Sequence, residues 1–213
     1  MPLRRRTPPD HYSGGVTTSS ATPAILSACL LSGFTSLADD AAHAPTRAVK
    51  LALAQMAAQE VAAAVTLEEQ CECGGPARRQ TELAIADFHR RARPQDWPER
   101  LVKTYVAGCL LRDLLQDVTA SDDRLPRTVV EHYTTSSLTE LVLAELSEPI
   151  AADPQLAARL SLWGRRVMGE VLAMVRHLVN QVPDILPADR AAGEIAHLTK
   201  AHSARMGALG LTA

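Results

Sequence analysis

The chain has 213 residues, a formal net charge of −2 and a hydrophobic fraction of 46%. This length suits one globular domain with a single core, and 22 basic against 24 acidic residues exclude a strongly basic surface for polyanions. Two Trp, three Tyr and two Phe are too few for a base-stacking platform. The composition therefore argues against nucleic acid as a partner.

The first 20 residues are rich in Pro, Gly, Ser, Thr and Arg and carry no periodic apolar face. They predict a disordered tail over residues 1–20, followed by one helical domain over residues 21–213. Proline and glycine mark short breaks within that domain. The predicted helices cover about residues 22–42, 46–70, 77–92, 97–120, 125–150, 155–181 and 188–208. No stretch reads as a strand, so the predicted fold class is all-α.

Polar residues suited to capping precede three of these helices: Thr46, Asp96 and Asp153. Each long helix also carries a narrow apolar stripe with steps of three and four residues, the pattern of a helix packed in a bundle. No segment approaches the roughly eighteen apolar residues that cross a bilayer. We expect no membrane segment.

Two acidic residues interrupt these apolar stripes, Glu60 in the second predicted helix and Glu170 in the sixth. A buried carboxylate is costly unless it is paired, metal-bound or protonated. One interpretation is structural: each carboxylate bonds a neighbour such as Arg165, Arg166 or Tyr105 and fixes the register of the helices. The other is that the carboxylates belong to a functional site.

Several segments of the chain have a distinctive sequence: DFHR at 87–90, DWPERLVKTYV at 96–106, LWGRRVMGE at 162–170 and TKAHSARMGALGL at 199–211. They resemble the bacterial ferritin-like proteins related to the methylthio-isopentenyladenosine tRNA hydroxylase. The similarity extends from about residue 25 to the C-terminus. It implies a ferritin-like four-helix bundle built from the first, second, fourth and fifth predicted helices, with the sixth and seventh packed beside it.

A di-iron member of this family is expected to carry six ligands on its four core helices: a carboxylate, a Glu-x-x-His pair, a second carboxylate and an acid-x-x-His pair. Hard carboxylates and imidazoles on facing helices suit two iron ions. The resemblance places these positions on Leu30, Glu60, Ala63, Gly108, Thr135 and Leu138. Of these six positions only Glu60 keeps the metal ligand of the family. Asp113, near Gly108 in the sequence, also resembles a family acid. One carboxylate cannot hold two iron ions, so we expect no metal and no cofactor.

Replacing large polar ligands by small or apolar residues leaves either an ordinary core or a dry pocket. We predict a pocket that binds an apolar small molecule. Its predicted lining is Leu30, Ala63, Tyr105, Gly108, Cys109, Thr135 and Leu138. Burial raises the pKa of a carboxyl group into the range useful for proton transfer. The predicted catalytic residue is Glu60, with Asp113 and Glu170 as secondary candidates, for a dehydration, isomerisation or cyclisation in specialised metabolism.

Two alternatives stay open at this point. One is a di-iron, dioxygen-dependent hydroxylase of the tRNA-modifying type, which bound iron would favour. The other is a non-enzymatic bundle with a role in assembly or regulation, which an exposed apolar stripe and a stable dimer without a pocket would favour. A homodimer is a possible assembly for any of the three functions.

The four cysteines are too few for a disulfide scaffold at this length and favour a reducing cytoplasm. Cys71 and Cys73 lie one residue apart in the break after the second predicted helix. Zinc sites usually separate such a pair by two to four residues and need a second pair, which this sequence lacks at a matching distance. We therefore interpret these two cysteines as part of a plain loop.

Overall fold

The computed structural model describes residues 21–120, 122–134, 137–181 and 188–213; the predicted tail over residues 1–20 lies outside these ranges. In the described residues the backbone forms α-helices and no strand, which confirms the all-α fold class. Their bounds are α1 (Thr22–His43), α2 (Arg47–Gln70), α3 (Pro76–Arg91), α4 (Trp97–Ala120), α5 (Arg127–Thr134), α6 (Leu138–Ala152), α7 (Pro154–Gln181) and α8 (Ala188–Ala208).

All three predicted capping residues bond the first turn of the helix that follows. Thr46 Oγ1 accepts a hydrogen bond from the Val49 N–H at 3.2 Å. Asp96 Oδ1 accepts from the Glu99 N–H at 3.0 Å, and Asp153 Oδ1 accepts from the backbone N–H groups two and three positions later, at 2.8 and 3.1 Å. Each cap satisfies N–H groups that have no partner within the helix.

The prediction of one continuous helix over residues 125–150 is wrong. α5 ends at Thr134 and α6 begins at Leu138. The sequence at this break is Thr-Thr-Ser-Ser, and hydroxyl side chains compete with the backbone for hydrogen bonds and so weaken a helix. The break matters because it lies beside the candidate site described below.

The predicted four-helix core is present, with the α5–α6 pair in the place of a single helix. α1 packs on α2, α2 on α5 and α6, these two on α4, and α4 on α1. As predicted, the last two helices pack beside this core: α7 against α4 and α8 against both α4 and α7. α3 packs against α1 and α7 and closes one side of the bundle.

Polar contacts join the start of α4 to the start of α7. The Trp163 Nε1–H donates to the Glu99 carbonyl oxygen at 2.8 Å, and the Arg159 guanidinium bonds Glu99 Oε1 at 2.6 Å and Asp96 Oδ2 at 2.7 Å. These residues belong to, or lie next to, two of the segments that carry the family resemblance. Those segments therefore act as the framework that orients α4 against α7.

Two helices pass a length-and-composition test for crossing a membrane: α1 and α2 each contain an 18-residue window with a mean hydropathy of 1.2. The sequence analysis expected no membrane segment, and these two helices weaken that expectation. Core helices of soluble proteins pass the same test, so the finding is weak evidence for a membrane span. More than half of the window in α1 is buried within the bundle, against 28% of that in α2. The outer face of α2 exposes Leu51 and Val65.

Two leucines on α2 allow a direct test of this packing. Leu53 is fully buried, whereas Leu51 is 53% exposed. Leu53→Ala should lower the free energy of unfolding by about 2–5 kcal/mol, because it leaves a cavity in the core. Leu51→Ala should change it by less than about 0.5 kcal/mol. Urea unfolding followed by circular dichroism measures both, and equal effects of the two substitutions would contradict the described orientation of α2.

Candidate ligand-binding cavity

A cavity of about 110 Å³ lies in the middle of the four-helix core. Most of its wall is apolar and comes from α1 to α4, α6 and α7: Leu37, Met56, Ile85, Phe88, Ala107, Leu111, Leu115, Leu138 and Met174. An engineered apolar cavity of about 150 Å³ stays dry and binds benzene. The volume here suits a molecule of about that size.

Two glycines give the cavity its shape. A Cβ atom on Gly33 of α1 would lie 3.0 Å from both Cδ and Oε2 of Glu60, so a side chain there would push the carboxylate aside. A Cβ atom on Gly108 of α4 would meet only Leu138 Cδ2, at 3.4 Å. Gly33 is therefore the residue that lets the Glu60 carboxylate lie against α1.

The first polar cluster of the wall joins α2, α4 and α5. Glu60 Oε2 lies 3.1 Å from His132 Nε2, and Glu60 Oε1 lies 3.7 Å from Arg112 Nη2. The guanidinium also donates to the His132 carbonyl oxygen at 2.6 Å. This bond holds the end of α5 against α4 and leaves a positive charge beside the Glu60 carboxylate. We call Glu60, His132 and Arg112 the Glu60 cluster.

Two buried polar atoms in this part of the wall have no hydrogen-bond partner within the described residues, His132 Nε2 and the Tyr133 hydroxyl. The 3.1 Å contact of His132 with Glu60 is close, but its angles are not those of a hydrogen bond. Burial, and then the charges of Cys29 and Glu60, raise the pKa of Tyr133 well above its ordinary value. Unpartnered buried groups are costly, so both atoms are suited to bond a ligand.

A second polar cluster, Ser32, His89 and Lys103, joins α1, α3 and α4; we call it the Lys103 cluster. The distance from Ser32 Oγ to His89 Nε2 is 3.1 Å, and that from Lys103 Nζ to His89 Nδ1 is 3.0 Å. Burial, and then the charge of Lys103, lower the pKa of His89 to about 4. The ring is therefore neutral near pH 7. An ammonium group can only donate, so Nδ1 accepts from Lys103 and the single ring proton lies on Nε2.

Three of the residues predicted to form the site lie in the wall of this cavity: Glu60, Gly108 and Leu138. Four others are buried in the core but do not line it: Leu30, Ala63, Tyr105 and Cys109. Thr135 lies outside the described residues. The cause is helical rotation. On α4 the wall residues recur at 103, 104, 107, 108, 111, 112 and 115. Tyr105 and Cys109 fall outside this face, because each step along the helix turns the side chain by about 100°.

The two secondary catalytic candidates lie away from the cavity, in ion pairs. Asp113 binds Arg205 through both carboxylate oxygens, at 2.7 and 2.6 Å. Glu170 lies 3.1 Å from Arg91 Nε. An arginine partner for Glu170 is what the structural interpretation expected. The arginine is Arg91 on α3, however, and neither Arg165 nor Arg166. Neither carboxylate lines the cavity, so neither takes part in the chemistry proposed below.

Sequence reasoning missed the four basic residues of the wall: His89, Lys103, Arg112 and His132. His132 does not follow an acid by three positions on its own helix, and its carboxylate partner is on α2. His89 and Lys103 both lie in segments that the sequence analysis used only for the family resemblance. Lys103, Ala107 and Leu111 follow steps of four along α4. That spacing was the one available signal that a cation shares a face with cavity residues.

The described residues do not fit a di-iron centre. Among them no group of three or more His, Cys, Asp or Glu side chains could hold a metal ion. Arg112 also places a positive charge 3.7 Å from the Glu60 carboxylate, which opposes cation binding there. Cys71 and Cys73 belong to no such group among the described residues either. Burial raises the pKa of Cys73 to about 11.

A four-helix core flanked by further helices is the architecture of the ferritin-like helical bundles. A family model described as a ferritin-like domain of actinomycetes matches residues 17–187. The chain therefore belongs to this family, and the predicted ferritin-like fold is confirmed. No curated protein gives a significant match.

The neutral His89 gives a pH prediction. Its pKa is about 4 in the folded protein and about 6.5 in an unfolded chain. Between these values the unfolded chain binds a proton that the folded protein does not, so stability falls as the pH drops from about 6.5 to about 4. His89→Gln should lose less stability over this range than the unchanged protein. Thermal unfolding midpoints between about pH 7.5 and about pH 4.5 measure the difference.

The matched control for this prediction is His43→Gln, because the His43 side chain is 55% exposed. That variant should follow the pH profile of the unchanged protein. Burial also lowers the pKa of His202, so some loss of stability persists in every variant. Identical profiles for the His89 and His43 variants would show that His89 titrates like an exposed imidazole.

Proposed function

We propose that the protein binds a small, mostly apolar molecule in the central cavity and catalyses a proton transfer on it. The observation that supports this best is the combination of an apolar wall with an unpartnered His132 Nε2 lying 3.1 Å from the Glu60 carboxylate. A pocket with a few convergent polar groups in an apolar lining is the usual form of a small-molecule site. Isomerisation, dehydration and cyclisation all need such an acid and base.

The roles of the two residues follow from their chemistry. The Glu60 carboxylate accepts a proton from a carbon atom next to a carbonyl group, so a C–H bond breaks and an O–H bond forms. The electron pair moves to the carbonyl oxygen, which receives a hydrogen bond from His132 Nε2–H or from the Tyr133 hydroxyl. Return of the proton to another atom completes an isomerisation. Arg112 holds Glu60 in place and is a positioning residue.

The proposal includes an origin and a location for the protein. Glu60 stands at the position where the resemblance places a metal ligand in the tRNA hydroxylases, and the guanidinium of Arg112 lies beside it. We infer descent from a metal-binding bundle that has lost the remaining ligands. All four cysteines are free thiols, which supports a reducing cytoplasm.

Binding can be tested with toluene and the methionine methyl groups. Met56 and Met174 line the cavity, while Met168 and Met206 are buried elsewhere. Toluene should shift the methyl NMR signals of the first two and leave those of the other two unchanged. Ala107→Leu fills the cavity and should weaken binding by at least about tenfold.

Ala58→Leu is the matched control, because it makes the same change at an exposed position of α2. It should bind toluene as the unchanged protein does. Shifts spread over all four of these methionines, or binding that survives the filled cavity, would contradict a specific site. A bundle with no toluene binding at all would favour the non-enzymatic alternative.

Proton transfer can be tested with cyclopentanone in D₂O. A carboxylate base beside a hydrogen-bond donor should exchange the hydrogens next to the carbonyl for deuterium faster than buffer does, and NMR measures the rate. Glu60→Gln should reduce the protein-catalysed rate by about 10²-fold or more, which is the usual contribution of a general base. Glu69→Gln, at an exposed position near the end of the same helix, should leave the rate unchanged. Equal rates in the two variants would remove Glu60 from the chemistry.

A further inference from the structure

Lys103 lines the cavity in a way that leaves part of its ammonium group without an acceptor. Its single described hydrogen bond goes to His89 Nδ1 at 3.0 Å, and no carboxylate of the described residues lies within 4.0 Å of Nζ. The side chain is half-buried, and burial lowers the pKa of Lys103. A cation in this position favours a negatively charged partner.

The neighbouring carboxylates do not supply that partner, because their oxygens are bonded elsewhere. The buried Asp40 bonds the Arg100 guanidinium, at 3.1 Å, and the Thr104 hydroxyl. Asp39 bonds the same guanidinium nitrogen, Arg100 Nη1. These two acids and Arg100 influence Lys103 only through longer-range charge interactions.

The hydroxyl group of Ser32 also has a hydrogen atom to donate to a ligand. Since the ring proton of His89 lies on Nε2, that nitrogen donates to Ser32 Oγ across the 3.1 Å contact. The hydrogen of the Ser32 hydroxyl then has no acceptor among the described residues. The Lys103 cluster therefore offers two ammonium N–H groups and one O–H group to the cavity. All three are donors, and no acceptor matches them.

We propose that Lys103 and Ser32 form a subsite for a carboxylate group, with His89 as the positioning residue between them. The ligand of the cavity is then a small organic acid whose apolar part lies against Phe88, Leu111 and Met174. This inference rests on the proposed function and names its substrate class. A carboxylate suits the subsite because its two oxygens accept up to four hydrogen bonds and carry the compensating charge.

The geometry also places the carboxylate of the ligand near the catalytic pair. Ser32, which contacts His89, and Gly33, which contacts Glu60, are adjacent in α1. A carboxylate held at Ser32 therefore lies in the same cavity as Glu60 and His132. The substrate class that follows is an organic acid that gains or loses a proton close to its carboxylate.

The test compares benzoate with benzamide, which has nearly the same shape but no charge. The methyl signals of Met56 and Met174 report binding of each. The unchanged protein should bind benzoate at least about tenfold more tightly than benzamide, because hydrogen bonds to charged groups are the stronger ones. Lys103→Met should remove this preference. Lys103→Arg, which keeps the charge, should retain part of the preference.

Two further variants separate the subsite from a general effect of charge. Ser32→Ala should weaken benzoate binding by about threefold to tenfold, the contribution of one hydrogen bond. Lys50→Met removes an exposed positive charge from α2 and should change neither ligand. Equal affinity of the unchanged protein for benzoate and benzamide, or a preference that survives Lys103→Met, would overturn the subsite while leaving the cavity proposal standing. Failure of toluene to bind the unchanged protein would instead overturn the proposed function.

Discussion

The site depends on one constraint, the burial of the Glu60 carboxylate in the middle of an apolar bundle. A carboxylate in that position needs compensating groups, since its desolvation is costly. Two helices supply these groups: α4 contributes the Arg112 guanidinium and α5 the His132 imidazole. α1 leaves room for the carboxylate at Gly33. Arg112 also bonds the backbone of α5. The Arg112 side chain thus balances the negative charge of Glu60 and also fixes α5, the helix that carries His132.

The break between α5 and α6 follows from this arrangement. His132 and Tyr133 lie in the last turn of α5, and Leu138 begins α6 on the far side of the hydroxyl-rich sequence. All three line the cavity. In a continuous helix these positions would span almost two turns, about 9 Å along one axis. Two short helices can instead present their ends to a single cavity. The low helix propensity of the sequence between α5 and α6 therefore allows the ends of both helices to form part of the cavity wall.

Much of the fold could be predicted from the sequence, because periodic apolar stripes and caps such as Thr46 and Asp153 act locally. The position of Glu60 in the cavity wall was also within reach, since a carboxylate on an apolar stripe is a local anomaly. The partners of Glu60 were not, because Arg112 and His132 come from other helices. Tyr105 and Cys109 were misplaced for a related reason. Helical periodicity shows that a face is buried, but the rotation of α4 against its neighbours selects which buried residues meet a cavity.

In the proposed function, fixed charges of the cavity wall take the place of bound metal ions. In a di-iron bundle the positive charge between the helices comes from bound cations. Here Arg112 and Lys103 place positive charges at two points of the wall, and both are covalently part of the chain. The charge of Arg112 is balanced by Glu60, whereas that of Lys103 has no carboxylate within 4.0 Å in the described part of the chain. In the proposed subsite, one balanced and one unbalanced cation would hold an acid in a single orientation. The proposed proton transfer requires that orientation, because Glu60 can act on only one end of the ligand.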